Sequence, residues 1–260
     1  MSGPVALHGG AEFLPGDEPF LAALLELAAA KVGMGVLIRV AIVPTAAARG
    51  RPDLAAANGV AAFERVAGVL GIDIDAVEVR VIDAASAAGD DLAAQLEQAD
   101  VIHLPGGEPD LIPAILPGSS AWAGVRRAHQ AGAVLAGASA GAMALATWCW
   151  TPAGGAPGLG IVPGLLVVPH ADHASWSDAF ERFGGWAPAG LGALGLAEQT
   201  GVIAEDLTED LTAGPIDRDA GRIIRWSIVG PGEVRWRASL AAETLVVRAG
   251  ATFETGNPSA

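Results

Sequence analysis

A doubly wound α/β fold, with a mostly parallel sheet, helices on both faces and antiparallel strands added in the C-terminal part, is predicted by three observations. Short β-branched runs alternate with Ala- and Leu-rich helical stretches up to Trp150. Hydrophobic residues make up 52% of the 260 residues and charged ones only 17%, enough to cover both faces of a sheet. After Gly155 the texture changes to Gly- and Pro-rich turns between shorter apolar runs, which is the pattern of antiparallel additions.

Each element has its own signal. Val5 to His8, Val36 to Val43, Val77 to Ile82, Val101 to Leu104 and Ala133 to Ala136 read as strands. Phe20 to Lys31, Leu54 to Leu70, Asp91 to Gln98 and Ser119 to Gln130 carry apolar positions near helical spacing and read as the helices between them. Strands joined through helices run parallel, because the crossover returns the chain to the same edge. Leu165 to Val168, Gly201 to Ala204, Ile223 to Val229 and Thr244 to Val247 read as the added strands. Residues 1–248 are expected to form a single domain, and residues 249–260, ending in Gly-Asn-Pro-Ser-Ala, a flexible tail.

Composition excludes several classes of function. A net charge of −14 and a pI near 4.6 leave no basic stripe for a phosphate backbone, so no nucleic-acid partner is expected, and anionic membrane surfaces are disfavoured. Cys149 is the single cysteine, which rules out an intrachain disulfide and a cysteine-based zinc site. The N-terminus lacks the basic and apolar regions of a secretion signal, and a cytoplasmic location is the expectation. Ala131 to Trp150 is an uncharged run long enough to imitate a membrane span, but Gly132, Gly137, Ser139 and Gly141 break it into strand, turn and helix.

In open α/β sheets the loops leaving the carboxyl ends of the strands form the ligand crevice. Four are conspicuous: Gly9-Gly10, the stretch from Pro44-Thr45 to Arg49-Gly50-Arg51, Pro105-Gly106-Gly107-Glu108, and Gly137-Ala138-Ser139-Ala140-Gly141. The last has the form of a nucleophile elbow, in which small residues flank a serine on a sharp strand-to-helix turn. Ser139 could equally be a helix N-cap, since serine is favoured there. As a nucleophile it needs a base, and the hydroxyl is nearly inert without one. Of five histidines, His170 ends the apolar run Leu165 to Pro169 and would enter the crevice, with His173 in reserve. His8 and His103 read as packed in strands, and His129 as solvated on a helix.

Several ordered motifs then resemble one family. These are Gly9-Gly-Ala-Glu12, Leu104-Pro-Gly-Gly-Glu-Pro109, the stretch from Val125 through Ser139 to Ala142, Gly158 through His170, and Leu194-Gly-Leu-Ala-Glu-Gln-Thr200. Nearly end to end, the chain resembles the serine peptidases that include aspartyl dipeptidase (peptidase E) and cyanophycinase, within the class I glutamine-amidotransferase-like fold. The resemblance implies Ser139 as nucleophile, His170 as general base, the Gly106-Gly107 loop with the Ala140 amide as oxyanion hole, and neither metal nor organic cofactor. It implies a small peptide or amide substrate, and by analogy a homodimer.

Two departures from the pattern stand out. The family is expected to supply an acidic partner for the histidine from between nucleophile and histidine, and no acid lies between Ser139 and His170. Asp172, Asp178 or Glu108 are the substitutes considered, while Glu198 and Thr200 read mainly as turn and strand-start residues. Glu108 reads first as a helix-start acid, and alternatively as the group that recognises a peptide amine. Pro109 stands where cyanophycinases carry Gln, which weakens that assignment. Cleavage after Asp would call for a cation, with Arg49, Arg51, Arg126 and Arg127 as candidates.

Four functions therefore compete. The leading one is a serine peptidase or amidohydrolase, and the second a catalytically lapsed member acting as a small-molecule or protein binding module. Glutamine hydrolysis for a partner synthase and a metal hydrolase built on His170, Asp172 and His173 are weaker.

Overall fold

The computed structural model describes residues 2–33, 35–172, 176–179, 187–188, 190–204 and 224–255. An eight-stranded sheet forms its centre. Five strands are parallel: β1 (Val5–His8), β2 (Ile38–Ile42), β3 (Ile74–Glu78), β4 (Val101–Leu104) and β5 (Val134–Ala138). Beyond β1 the sheet continues antiparallel through β10 (Gly201–Ala204), β11 (Ile224–Val229) and β14 (Thr252–Thr255), in the order β14-β11-β10-β1-β5-β4-β2-β3. β1 and β5 are buried at every position, as strands covered on both faces must be.

The period of two along these strands sorts their side chains onto two cores. Ala6, Val134 and Ala136 face Phe20, Leu21, Leu24 and Leu25 of α1 (Glu18–Val32) and Phe63 and Val66 of α2 (Pro52–Leu70). Leu7 and Leu135 face the other way, toward Trp122, Val125 and Ala128 of α6 (Ser120–Gln130) and the short α7 (Ala140–Leu145). Three shorter helices, α3 (Ala84–Ala87), α4 (Asp90–Glu97) and α5 (Leu111–Ile115), complete the layer order. The apolar run that imitates a membrane span is β5, α7 and the next strand, and no helix among the described residues is long and apolar enough to cross a bilayer.

A second sheet of six strands holds the rest of the C-terminal half. It comprises β6 (Ala146–Thr151), β7 (Gly154–Pro157), β8 (Val162–Val168), β9 (Gly192–Leu196), β12 (Glu233–Arg237) and β13 (Leu245–Arg248), ordered β13-β12-β9-β8-β6-β7. Four of these, β6, β7, β9 and β12, escape sequence reading, because Gly-rich β7 and β9 lack the β-branched signature and Ala146-Thr147-Trp148 continues the texture of the helix before it. β6, β8 and β9 pair in parallel, so the second sheet is mixed rather than wholly antiparallel.

The boundary expected at 248 falls inside the fold. β14 pairs with β11, burying Phe253 and bringing Thr255 Oγ1 to accept from Trp226 Nε1 at 2.8 Å. One buried aromatic in an otherwise polar stretch is too weak a signal to read as a strand. His129 also differs from expectation. It is fully buried, with Nδ1 3.1 Å from the Ala133 carbonyl, because the last turn of α6 packs against the start of β5.

His8 and His103 are buried in strands, as their positions imply. The His103 ring lies 5.0 Å from Phe13 and 5.9 Å from Phe63, and neither of its nitrogens finds a hydrogen-bond partner among the described residues. Burial pulls it down from 6.5 to about 3, nearby His8 adding to the effect and Asp17 opposing it. The unfolded chain therefore takes up a proton near pH 6.5 that the folded chain refuses until about 3, so stability falls as pH drops through that window. Urea unfolding at several pH values should show a shallower acid-side loss in His103→Phe than in wild type; identical pH dependence would mean that His103 is not held neutral in the core.

Candidate active site

Ser139 sits between β5 and α7 with φ 49° and ψ −112°, in the region that L-residues avoid. Its hydroxyl does not cap α7, although serine at such a position usually does. The elbow is made possible by Gly141, where a Cβ would lie 2.0 Å from the Leu104 carbonyl oxygen. The close approach packs α7 against the end of β4 and turns the serine out of the sheet.

His170 follows β8 and meets it. Ser139 Oγ lies 3.0 Å from His170 Nε2, across 31 residues of sequence. The backbone of His170 is itself at φ 50°, and its N–H donates to the Gly9 carbonyl at 2.8 Å. Gly10 lies under the ring: a Cβ there would come within 2.2 Å of His170 Cε1, and the residue has φ 115°. The two glycines after β1 thus form the seat of the imidazole.

The carboxylate at the far side of the ring is Glu198, with Oε1 2.9 Å from His170 Nδ1. A carboxylate can only accept, so Nδ1 carries the proton and Nε2 is left as the acceptor for the Ser139 hydroxyl. Glu198 lies in the turn from β9 to β10, where the chain passes from one sheet to the other. Gln199, next to it, is at φ 53° and its N–H donates to the Gly10 carbonyl at 2.9 Å. Thr200 is buried, and its hydroxyl accepts from Gly232 N–H at 2.7 Å.

The substitutes considered for this position lie elsewhere or outside view. Glu108 is bound by Arg49 at 2.5 Å, and Asp110 joins the same guanidinium, which both carboxylates hold above its ordinary value. Asp172 starts the loop after His170, where its N–H donates to the His170 carbonyl. Asp178 borders the cavity beside Ser139. His173 lies outside the described residues. Glu198 stands 28 residues beyond His170, after it in the chain rather than before.

Glu12 is the second residue that sequence reading leaves without a role. Its Oε1 accepts from Gly106 N–H at 2.7 Å, and a Cβ on Gly106 would touch both Glu12 Oε1 and Ser139 Cβ. Of the amides expected to serve an oxyanion, that of Gly106 is thus committed to a carboxylate, while Gly107 and Ala140 border the cavity next to Ser139. Ala11 and Phe13, on either side of Glu12, also have positive φ. Every non-glycine residue of positive φ among those described, Ala11, Phe13, Ser139, His170 and Gln199, belongs to one of the four loops that follow β1, β5, β8 and β9. Each such conformation costs on the order of 1–3 kcal/mol, and strain gathers where function over-determines geometry.

Cys149 is buried 3.4 Å from the Pro109 carbonyl, and burial pushes its thiol up to about 12. It stays a neutral thiol, whereas the half-buried Ser139 borders the crevice. No group of three His, Cys, Asp or Glu among the described residues is arranged to hold a metal ion.

Residues 17–210 match the family model of Peptidase family S51. The chain belongs to peptidase family S51. Its fold is shared by a peptidase from an acI-B1 Actinobacterium, 22% identical over 97% of both chains with a TM-score of 0.72. A putative peptidase E protein from Listeria monocytogenes EGD-e is similar too, 12% identical over 96% of this chain and 100% of that one, at a TM-score of 0.52. Comparison with curated proteins gives no match. Membership of S51 makes this chain a hydrolase of the peptidase type, on the doubly wound fold that its sequence predicts.

The seat under the imidazole of this S51 peptidase is directly testable. Gly10→Ala should lower hydrolytic activity by about 100-fold or more, since a displacement of about 1 Å in a catalytic group already costs that much. Circular dichroism and a thermal melt should show that the fold persists. Full activity in a folded Gly10→Ala protein would mean that the ring needs no such seat.

Proposed function

We propose that this protein is a serine peptidase or amidohydrolase of small peptides that works through an acyl-enzyme on Ser139. The observation that carries the proposal is the continuous chain from Ser139 Oγ to His170 Nε2 at 3.0 Å and from Nδ1 to Glu198 at 2.9 Å. Side-chain exposures of 46% for His170 and 61% for Glu198 leave the relay open to an entering substrate.

In this scheme the Ser139 hydroxyl loses its proton to His170 Nε2 as Oγ bonds to the scissile carbonyl carbon. Glu198 keeps the ring in the competent tautomer and stabilises the imidazolium that forms. The carbonyl oxygen, now an anion, is met by the amides of Ala140, at the N-terminus of α7, and of Gly107. Collapse breaks the C–N bond, and His170 returns the proton to the departing amine. Water then takes the amine's place: it gives a proton to His170 as its oxygen bonds to the acyl carbon, the bond from that carbon to Ser139 Oγ breaks, and His170 returns the proton to Oγ as the acid leaves. Gly106 is assigned a supporting role, since Glu12 holds its amide and so fixes the loop that presents Gly107.

No metal enters this scheme. The lapsed-member reading drew on a missing acid, and Glu198 in contact with Nδ1 favours the active reading over it.

Assay of a small-peptide panel should show Ser139→Ala at least about 1,000-fold below wild type in kcat/KM, and Glu198→Gln about 100-fold below, with KM nearly unchanged. Glutamine is nearly isosteric and can still accept from Nδ1–H, so what it removes is the charge. Wild-type rates in Ser139→Ala would defeat the proposal, and wild-type rates in Glu198→Gln would remove Glu198 from it.

A further inference from the structure

The cavity beside Ser139 encloses about 460 Å³, and its walls are apolar: Met143, Trp150, Val168, Pro169 and Ala179 line it. Gly107 and Ala140, the amides assigned to the oxyanion, open onto it as well. An oxyanion is bonded to the acyl carbon, so the side chain that fits here belongs to the residue on the acyl side of the scissile bond.

Among the described lining residues one carboxylate borders this space. Apart from the His170 ring, Asp178 is the single ionisable side chain among the described lining residues, and it is exposed without an ion-pair partner there. Its position is set by its neighbours. Residues 176–179 form one helical turn whose Trp176 and Ala179 are buried against Leu166, Val168 and Ala171. Thr244 Oγ1 accepts from Trp176 Nε1 at 3.2 Å, and the Arg237 guanidinium lies 5.7 Å from the centre of that ring. With those two side chains docked inward, Asp178 is left on the solvent side, at the rim of the cavity.

The cation that acidic acyl residues would require is not found among the described lining residues. Arg49 is held by Glu108 and Asp110, and Arg127 pairs with Glu97 on the outer helix layer. An apolar cavity with a carboxylate at its rim fits a long methylene stem with a cationic tip, because the stem buries apolar surface while the tip keeps its charge partly hydrated.

Building on the peptidase reading, we propose that this cavity is the acyl-side specificity pocket, that it prefers Lys or Arg there, and that Asp178 rejects Asp and Glu. Lysyl, norleucyl and aspartyl amides of one fluorogenic amine test this, since the leaving group stays constant. Wild-type kcat/KM should favour the lysyl over the norleucyl amide by about five-fold, the range of an exposed ion pair, and the aspartyl amide should be slowest. Asp178→Asn should bring the lysyl-to-norleucyl ratio to about one. A preference for the aspartyl amide, or a ratio unmoved by Asp178→Asn, overturns the pocket assignment while leaving the peptidase reading in place. If Ser139→Ala hydrolyses all three as fast as wild type does, it is the peptidase reading that fails. Equilibrium binding of the same amides to Ser139→Ala reads the pocket without turnover: tighter lysyl binding that Asp178→Asn abolishes supports it, and equal or tighter aspartyl binding refutes it.

Discussion

The position of the His170 ring is the constraint on which the rest of the site depends. The ring bridges Ser139 and Glu198 while resting on Gly10, and each contact comes from a different part of the chain. β1 supplies the seat, β5 the serine, β8 the histidine and the β9–β10 turn the carboxylate. Moving any of the four loops by about 1 Å would break a hydrogen bond, because such bonds weaken steeply outside a narrow range of distance and angle.

The two sheets account for how that precision is held. β1 and β5 lie side by side at the centre of the large sheet, so the Gly9-Gly10 seat and the Ser139 elbow leave adjacent strands in the same direction. β8 and β9 are paired in the small sheet, which carries His170 and the approach to Glu198 as one unit. The chain enters the large sheet again at β10, next to β1, and brings Glu198 across with it. Beneath the β1 loop lies a fully buried pair, His8 Nε2 at 2.9 Å from Asp17 Oδ1. Asp17 Oδ2 accepts from Phe13 N–H at 2.9 Å, and so anchors the loop that bears Glu12.

Much of this was legible in the residues. Alternating strands and helices specify the parallel core, and Gly-Ala-Ser139-Ala-Gly marks the elbow because only small side chains fit there. Ser139 and His170 could be paired because each follows an apolar strand and must emerge in the crevice. Glu198 carries no such signal, because its partnership arises where two sheets join, and no local spacing records that. Glu12 was missed for a similar reason: it meets Gly106 across 94 residues, through a loop of strained backbone that has no regular period to read. Edge strand β14 and the Gly-rich strands of the second sheet were hidden by weak intrinsic propensity, which tertiary packing overrides.

That Ser139 is an activated nucleophile is the central claim, and the intact mass of the protein after exposure to a fluorophosphonate tests it most directly. One adduct on wild type, mapped to Ser139 and missing from Ser139→Ala and His170→Ala, is the predicted result. An unmodified mass for folded wild-type protein at neutral and mildly alkaline pH would contradict it, and would leave a peptidase fold that binds its ligand without turning it over.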